Sequence, residues 1–351
     1  MNALGPACVV IPTLNEIAHI GGLLAHLLAE PPEVVGAILV ADGGSEDGTR
    51  AVVRRVAAKD RRVRLIANPD RIQAAGVNRA VAKADRHFGV IVRVDAHALY
   101  PAGYVGKLLK AMESSEADSV VVRLDTVGRT PFQRAVAAAQ NSRVGTGGSA
   151  HRMGRVSGFV EHGHHAAFRR SLFEQAGGYD ERFEANEDAE LDARIRALGG
   201  RIWLDVGIPV IYFPRSTLTA LARQYWRYGS GRARTYRKHG ERLRLRQMLP
   251  PVVLLAVTLG LLLAPFAPAT LLLPVAYFGA LTVSGVALAI GQRSASVLWA
   301  IPALAAMHFA WGAGFLRRML VGNRRDEELM LRRIIGPTST VRDEAAERGK
   351  A

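Results

Sequence analysis

The stretch AILVADGGSEDGT, residues 37–49, decides the fold. It begins with an apolar run that has the length of one buried strand and leads into Asp42. The glycines that follow allow a ligand to approach the backbone closely, and Thr49 is suited to starting a helix. A strand, a polar turn and a helix start follow one another directly, which is typical of a β-α unit.

The same alternation continues on both sides of this stretch. We predict strands over 8–11, 37–41, 63–67 and 89–94, and helices over 18–29, 49–58 and 72–84. This rhythm indicates an α/β fold with a doubly wound parallel sheet covered by helices. Ligands of such sheets bind beyond the carboxyl ends of the strands. Asp42 and Asp95 both follow strand ends, so we expect them to face one crevice.

The middle of the chain is less regular. Residues 126–157 are rich in Gly, Arg and Ser and are predicted to form a mobile connection. Periodic structure returns with helical patterns over 171–176 and 188–198 and a strand over 201–204.

Charge is distributed very unevenly. The net charge of +15 is compatible with binding nucleic acid, a membrane surface or anionic substrates. From 250 to 316, however, the only charged residue is Arg293, which is typical of membrane spans. Apolar segments lie near 250–266, 268–290 and 296–316. The last two are long enough to cross about 30 Å at roughly 1.5 Å per residue, whereas the first is marginal and is interrupted by Pro265.

Basic residues flank the apolar region at 223–246 and 317–333. The positive-inside rule places both flanks inside, which requires an even number of crossings and conflicts with three segments. Either one segment is re-entrant or interfacial, or the tail is translocated. No signal peptide is evident, so we expect a multi-pass protein of the cell (inner) membrane with its first domain in the cytoplasm.

Cysteine and histidine residues restrict the metal chemistry. Cys8 is the only cysteine and lies in an apolar run, which indicates a buried thiol and neither a disulfide framework nor a cysteine zinc site. The stretch EHGHH, residues 161–165, is open to three interpretations. The first is a zinc site. The second is a part of the acceptor pocket or a third metal ligand, and the third is ordinary polar lining of a cavity.

Two acidic steps carry the candidate chemistry. Asp95 and His97 lie on the same side of an extended segment, where both can ligate Mg²⁺ or Mn²⁺ and so neutralise a diphosphate. The alternative is a strand-end Asp with a hydrogen-bonded His. Glu187 and Asp188 start a helix, where an acid either favours the helix dipole or acts as a general base on an acceptor hydroxyl.

Five motifs occur in a fixed order. They are VIPTLNE at 10–16, DGGSEDGT at 42–49, DAH at 95–97, GGYDE at 177–181 and NED at 186–188. Over about residues 5–240 they resemble the inverting family 2 glycosyltransferases, which have a GT-A fold. Residues 93–97, 145–148 and 168–170, with the hydrophobic C-terminus, resemble the succinoglycan glucosyltransferase-like branch.

The resemblance implies roles for individual residues. The nucleotide-sugar pocket would contain Pro12, Thr13, Asn15, Glu16, Asp42, Asn78 and Asp95. Asp95 would hold the metal and Asp188 would be the catalytic base. His97 replaces the second acid of the family's D-x-D motif, which puts its share in metal binding in doubt. Glu187, His164 and Arg227 are candidates for contacts to the acceptor or the diphosphate.

The resemblance also implies a function. Residues 1–240 would form the catalytic domain, and 241–351 a membrane region with a basic tail. The Q-x-x-R-W motif of processive synthases is only approximated by 224–228, which indicates addition of one sugar. We expect inverting transfer from a nucleotide-diphosphate sugar to a polyprenyl-linked saccharide, in exopolysaccharide or cell-surface glycan synthesis. The alternatives are transfer to polyprenyl phosphate and a non-catalytic membrane adaptor.

The basic stretch 223–246 bears on the choice of partner. It directly precedes the apolar segments, which favours binding to membrane lipid headgroups. We do not expect nucleic acid as a partner, because no recognition fold for it is visible.

Overall fold

One eight-stranded sheet organises the first two thirds of the chain. The computed structural model describes residues 4–240 and 243–321. The strands are β1 (Ala7–Thr13), β2 (Val35–Asp42), β3 (Val63–Ala67), β4 (Val90–Arg93), β5 (Ser119–Thr126), β6 (Gly158–Phe159), β7 (His164–Arg169) and β8 (Ile202–Tyr212).

Helices cover both faces of this sheet and form the C-terminal region. Those of the sheet half are α1 (Ile17–Leu28), α2 (Thr49–Ala57), α3 (Gln73–Lys83), α4 (Tyr104–Ser115), α5 (Pro131–Gln140), α6 (Arg143–Thr146), α7 (Ala150–Met153), α8 (Arg170–Gln175) and α9 (Glu187–Ala197). They are followed by α10 (Leu218–His239), α11 (Leu245–Leu263), α12 (Leu272–Gly291) and α13 (Ala300–Leu320), with short 3-10 helices at Pro268–Leu271 and Ala295–Trp299.

The sheet is mixed and follows the order β3-β2-β1-β4-β7-β5-β8-β6. Strands β1 to β4 are parallel neighbours, as predicted. Beyond them the sheet becomes mixed, because β7 is inserted antiparallel between β4 and β5, whereas β5 and β8 are parallel. β6 is also antiparallel, at the β8 edge. This insertion places His164, the first residue of β7, beside the carboxyl end of β4.

Strand β1 divides the core by its alternation. Val9 and Ile11 belong to one apolar cluster, while Cys8 and Val10 belong to the cluster on the opposite face, as a period of two requires. Cys8 is fully buried, and burial raises the pKa of its thiol to about 12. The prediction of a buried core thiol is therefore confirmed.

Residues 126–157 are not a simple mobile connection, and that prediction is wrong. They contain α5, α6 and α7. Helix α5 begins with a capping box formed by Thr130 and Gln133, with Pro131 in its first turn. Its alanine-rich face is buried against the C-terminal helices, so packing outweighs a composition that is typical of a loop.

Among the C-terminal residues that the structure describes, three helices are long and apolar enough to cross a membrane, judged by length and composition. They are Leu245–Leu263, Pro268–Gly291 and Ala295–Leu320. The first segment is helical from Leu245, and its helix ends at Leu263, directly before Pro265 as expected. Pro250 and Pro251 lie inside α11, in its second turn, and each removes one backbone N–H donor from the helix.

Helix α10 connects the two regions by packing closely against α13. A Cβ atom added at Gly229 would lie 2.0 Å from the carbonyl oxygen of Trp311. One added at Gly314 would lie 2.2 Å from the carbonyl oxygen of Trp226. Only glycine at these positions permits such a close approach of two helix backbones. The C-terminal helices are therefore packed against the sheet half.

Candidate active site

A cavity of about 1060 Å³ lies at the carboxyl ends of β1 and β4. Its polar wall includes Thr13, Glu16, Asp95, His164 and Asp188. Its volume is slightly above the roughly 300–1,000 Å³ typical of ligand pockets. The carboxyl ends of parallel strands meet at one edge, which explains why side chains distant in sequence converge here.

Arg93, the last residue of β4, connects the acidic groups of this cavity. Its Nη1 donates to Asp188 Oδ1 at 2.6 Å, and its Nη2 donates to Glu187 Oε1 at 3.2 Å. Its Nε lies 3.5 Å from Asp95 Oδ1. Arg93 is 4% exposed. One buried guanidinium thus holds three carboxylates at fixed positions.

The pKa values follow from this arrangement. Burial lowers the pKa of Arg93, but the adjacent carboxylates, Asp188 first, raise it well above the ordinary value. Burial raises the pKa of Asp95, but Arg93 and His164 outweigh it, so the net pKa is lowered. Burial and the neighbouring Asp188 raise the pKa of Glu187. Of these two carboxylates, Asp95 therefore stays ionised more readily, and Glu187 takes up a proton sooner.

Asp188 is held on one side and exposed to the cavity on the other. Its Oδ1 also accepts a hydrogen bond from the Tyr179 hydroxyl at 3.0 Å. Its Oδ2 lies 3.6 Å from His164 Nδ1, while His164 Nε2 lies 3.7 Å from Asp95 Oδ2. The imidazole of His164 thus lies between the candidate base and the candidate metal-binding carboxylate. Such a position suits a group that orients both.

His97 does not extend β4. The strand ends at Arg93, so the expectation that Asp95 and His97 share one side of an extended segment is wrong. His97 Nδ1 instead donates to Glu16 Oε1 at 2.9 Å, and this bond raises the pKa of His97. The pair joins the β1 and β4 loops at the cavity wall.

Asp42 and Asn15 organise a loop, and the cavity wall as described does not include them. Asp42 is the last residue of β2 and is 4% exposed. Its Oδ1 accepts from the Gly44 and Ser45 amides at 3.0 and 2.9 Å. Asn15, in a left-handed conformation, accepts from the Glu46 amide at 3.0 Å. Their contact with a nucleotide stays a prediction.

Asn78 is likewise absent from the cavity wall that the described residues form. Its amide accepts from the Tyr179 backbone N–H at 2.9 Å and donates to the Tyr179 carbonyl at 2.9 Å. It therefore connects α3 with the segment that carries Tyr179. Pro12, by contrast, lines the cavity with Thr13 and Glu16, and so does Arg227 of α10.

Sequence reasoning missed three residues of this site. Arg93 is a charged residue inside a buried apolar strand, which signals a paired partner. Tyr179 lies in the GGYDE motif at 177–181, and the motif itself does not indicate the contact with Asp188. Gln73 donates to Asp95 Oδ1 at 3.0 Å, and nothing in its local sequence indicates this.

The donor set suits a divalent cation held partly by substrate. Within 4–240 and 243–321, no group of three His, Cys, Asp or Glu side chains is arranged to hold a metal. The zinc interpretation of 161–165 therefore gains no support from the described side chains. Magnesium-type sites, however, commonly use one or two carboxylates together with substrate phosphates. Asp95 fits that pattern, with His164 adjacent.

Sheet and cavity together define an α/β glycosyltransferase of the GT-A type. The family model for glycosyl transferase family 2 matches residues 8–177. Succinoglycan biosynthesis protein ExoA of Rhizobium meliloti (strain 1021) is 45% identical over 318 residues, covering 90% of this chain and 96% of that protein. The chain belongs to glycosyl transferase family 2, and it is a glycosyltransferase similar to the succinoglycan type.

A solved structure has the same fold. It is the mannosyltransferase PcManGT from Pyrobaculum calidifontis in complex with GDP-Man and Mn²⁺. The TM-score is 0.57 at 21% identity, covering 90% of this chain and 87% of that one. At this identity the likeness concerns the fold alone.

Proposed function

We propose that the protein transfers one sugar, with inversion, from a nucleotide-diphosphate sugar to a polyprenyl-linked saccharide during exopolysaccharide synthesis. The observation that carries this proposal is the cavity in which Arg93 fixes Asp188 beside Asp95. Family membership and the printed role of the 45% identical relative support the pathway class. The lipid acceptor is supported by the continuation of the cavity between apolar helices.

In the proposed reaction Asp188 acts as the general base. The acceptor hydroxyl gives its proton to the carboxylate of Asp188, and its oxygen forms a bond to the anomeric carbon. The bond from that carbon to the diphosphate oxygen breaks, and its electron pair leaves with the nucleoside diphosphate. Attack from the face opposite the leaving group inverts the configuration.

The remaining residues of the site would position the catalytic base and neutralise the charge of the diphosphate. Arg93 and Tyr179 hold Asp188 Oδ1, and Asp188 Oδ2, on the side of His164, would receive the proton. A divalent cation, Mg²⁺ or Mn²⁺, held by Asp95 would neutralise negative charge on the departing diphosphate. Arg227 and other arginines of the cavity wall would contribute to the same neutralisation.

We infer that α11 and α12 form a hairpin that enters the membrane, with α13 lying along the sheet half. Three contacts support this. Trp299, just before α13, meets Phe132 of α5, His308 Nε2 donates to the Val144 carbonyl at 2.9 Å, and Arg237 donates to the Arg318 carbonyl. A hairpin crosses twice, which satisfies the even count that the basic flanks require.

Substitution of Asp188 tests the function. We expect Asp188→Asn to lower turnover by about 10³-fold, the typical value of a general base, while nucleotide binding is retained. The matched control is Glu187→Gln, which alters the adjacent carboxylate and should cost much less. The assay measures transfer of radiolabel from a panel of nucleotide sugars into lipid in membranes, with Mg²⁺ or Mn²⁺ and with EDTA.

The outcomes separate the alternatives. Label that enters lipid only with metal and with Asp188 intact supports the proposal. Acid-labile labelling of added polyprenyl phosphate alone would favour the sugar-phosphate-lipid product. Nucleotide binding without release from any donor would favour a non-catalytic adaptor.

A further inference from the structure

The active-site cavity does not end in the sheet half. It continues between α11, α12 and α13, where its wall becomes apolar. This second part is lined by Leu249, Val253, Leu281, Met307 and Trp311. We call this part the chain groove. Its position places apolar surface directly beside a polar reaction site, and a soluble sugar acceptor has no use for such a surface.

Only one face of α12 lines the chain groove. Tyr277, Leu281 and Ser284 follow the i, i+4, i+7 spacing of a single helix face. Val283 and Ile290, both 71% exposed, lie on other faces and would contact bulk lipid. The helix therefore presents apolar residues on two sides, and one side faces an enclosed space.

Arginines stand where the polar and apolar parts meet. Arg246 precedes the groove residue Leu249 by one turn of α11, and both line the cavity. A Cβ added at Gly147 would lie 2.7 Å from the Arg246 side chain, so the segment after α6 adjoins this turn. Arg143 of α6 lines the cavity as well. Two guanidinium groups at such a junction suit a phosphate or diphosphate head.

Hydrogen bonds fix the walls of the groove. His308 Nε2 donates to the Val144 carbonyl at 2.9 Å, and the Tyr277 hydroxyl donates to His308 Nδ1 at 3.1 Å. Because the carbonyl can only accept, the tautomer of His308 is set and Nδ1 must accept. Helices α12 and α13 are thereby connected to α6, so the groove is a built feature of the molecule.

We propose that the chain groove binds the hydrocarbon chain of a polyprenyl phosphate-type lipid, with its phosphate at Arg143 and Arg246. The saccharide end would then reach Asp188. This inference deepens the proposed function and rests on it, since a lipid-linked acceptor is what the groove would position.

Photo-crosslinking tests the groove without requiring turnover. The probe is a farnesyl diphosphate analogue with a photoreactive group at the far end of its chain, and adducts are located by mass spectrometry of the detergent-solubilised protein. We expect adducts on the α11, α12 and α13 groove faces, and competition by polyprenyl phosphate. Equal competition by phosphatidylglycerol, or by inorganic diphosphate alone, would overturn the assignment of the occupant.

Bulky substitutions on α12 give the matched comparison. Ala280→Trp and Ser284→Trp would each fill the groove and should lower adduct yield by about tenfold, which corresponds to ~1.4 kcal/mol. Val283→Trp, on a lipid-facing side of the same helix, should leave it unchanged. Retained binding of nucleotide indicates that each variant is folded. Equal labelling of all three variants and the unmodified protein would refute the groove.

Failure of the inference and failure of the proposed function are distinguishable. If the unmodified protein transfers sugar to lipid while the groove variants label and transfer normally, only the groove is refuted. If no lipid acceptor is used in any assay but a soluble saccharide is, the proposed function fails, and the groove proposal fails with it.

Discussion

Arg93 is the residue on which the geometry of the site depends. It is buried against Glu187 and Asp188 and close to Asp95. Asp188 was identified by resemblance, yet without a fixed cation it would stand beside another carboxylate and compete with it for protons. Arg93 separates their charges and fixes their positions, so it acts as a positioning residue.

We predict that Arg93→Gln shifts the acidic limb of the pH–rate profile to higher pH. Loss of the cation makes the ionised carboxylates less stable, so their pKa values rise and the base is protonated at higher pH. Turnover at neutral pH should also fall, by about 10²-fold, because Asp188 is no longer held in place. The measurement is kcat against pH, with nucleotide binding as the check on folding.

Arg93→Lys is the matched control for this prediction. Lysine keeps the charge but lacks the fork that contacts two carboxylates at once. It should therefore preserve much of the pH profile while lowering kcat. An unchanged pH profile in Arg93→Gln would contradict the assigned role.

Local sequence reasoning has a clear limit at this scale. Asp95 could be recognised because it follows an apolar run that predicts a strand, whereas only the family resemblance singles out Asp188 as the base. The hydrogen bonds that Asp42 accepts from the Gly44 and Ser45 amides give it a role inside its own glycine-rich turn. The contacts of Asn78 with Tyr179 could not be predicted from the sequence, because the two residues lie far apart in the chain. Long-range pairing of this kind leaves no local pattern.

At the scale of elements, the α10–α13 contact is what joins the catalytic half to the apolar helices. We predict that Gly229→Ala destabilises the protein by about 2 kcal/mol, because the new Cβ would overlap the Trp311 carbonyl and one helix must shift. The measurement is thermal unfolding in detergent.

Gly279→Ala in α12 provides the control. A Cβ at Gly279 meets no heavy atom within 4 Å, and alanine is favoured over glycine in helices by up to about 1 kcal/mol. This variant should be neutral or slightly stabilised. Equal loss of stability in both variants would argue against the close contact and for a general intolerance of side chains.

Helix α9 is held to α10 by a buried acid. Glu190 is fully buried and accepts from Arg194, Lys238 and His239 at 2.6–2.9 Å. Burial raises its pKa, but these donors outweigh it and the net pKa is lowered. The stabilisation is therefore present above the unfolded pKa of about 4.3 and is lost as pH falls through the lower folded value.

We predict that Glu190→Gln costs about 2 kcal/mol at neutral pH, the typical worth of hydrogen bonds to a charged group. The difference from the unmodified protein should shrink as pH falls below the ordinary glutamate range. Glu174→Gln is the control, since its partner Arg170 is an i,i+4 neighbour and Glu174 is partly exposed. It should cost less than about 0.5 kcal/mol. A pH-independent cost in Glu190→Gln would exclude the charge as its cause.

Element prediction succeeded where periodicity is local and failed where packing decides. The strands and helices over 7–93 were placed within two residues of their observed ends, because each contains its own apolar pattern. Helix α4 was missed, and β8 extends well beyond the predicted 201–204. Helix α5 was not predicted either, because its face of small residues is recognisable as a buried face only once α13 packs against it.

At the scale of the whole molecule, the sequence leaves the number of membrane crossings open. Hydropathy shows how long each apolar segment is, but not where that segment lies relative to the bilayer. We propose that the contacts of α13 with α5, α6 and α10 favour two crossings. A helix held to α5, α6 and α10 by such contacts is poorly placed to carry the chain across a bilayer. A hairpin of α11 and α12, connected at its tip where Thr270 donates to the Gly260 carbonyl, leaves both basic flanks on one side.

Single-cysteine labelling tests this topology, and the chain is suited to it. Cys8 is fully buried in β1 with a pKa of about 12, so it should not react with a maleimide at neutral pH. We predict that Phe266→Cys, at the exposed hairpin tip, reacts with a membrane-impermeant maleimide from the side opposite the catalytic domain. Leu320→Cys, at the end of α13, should react only from the side of that domain. Labelling of both cysteines from opposite faces supports the hairpin, since three crossings would place position 320 on the same side as position 266.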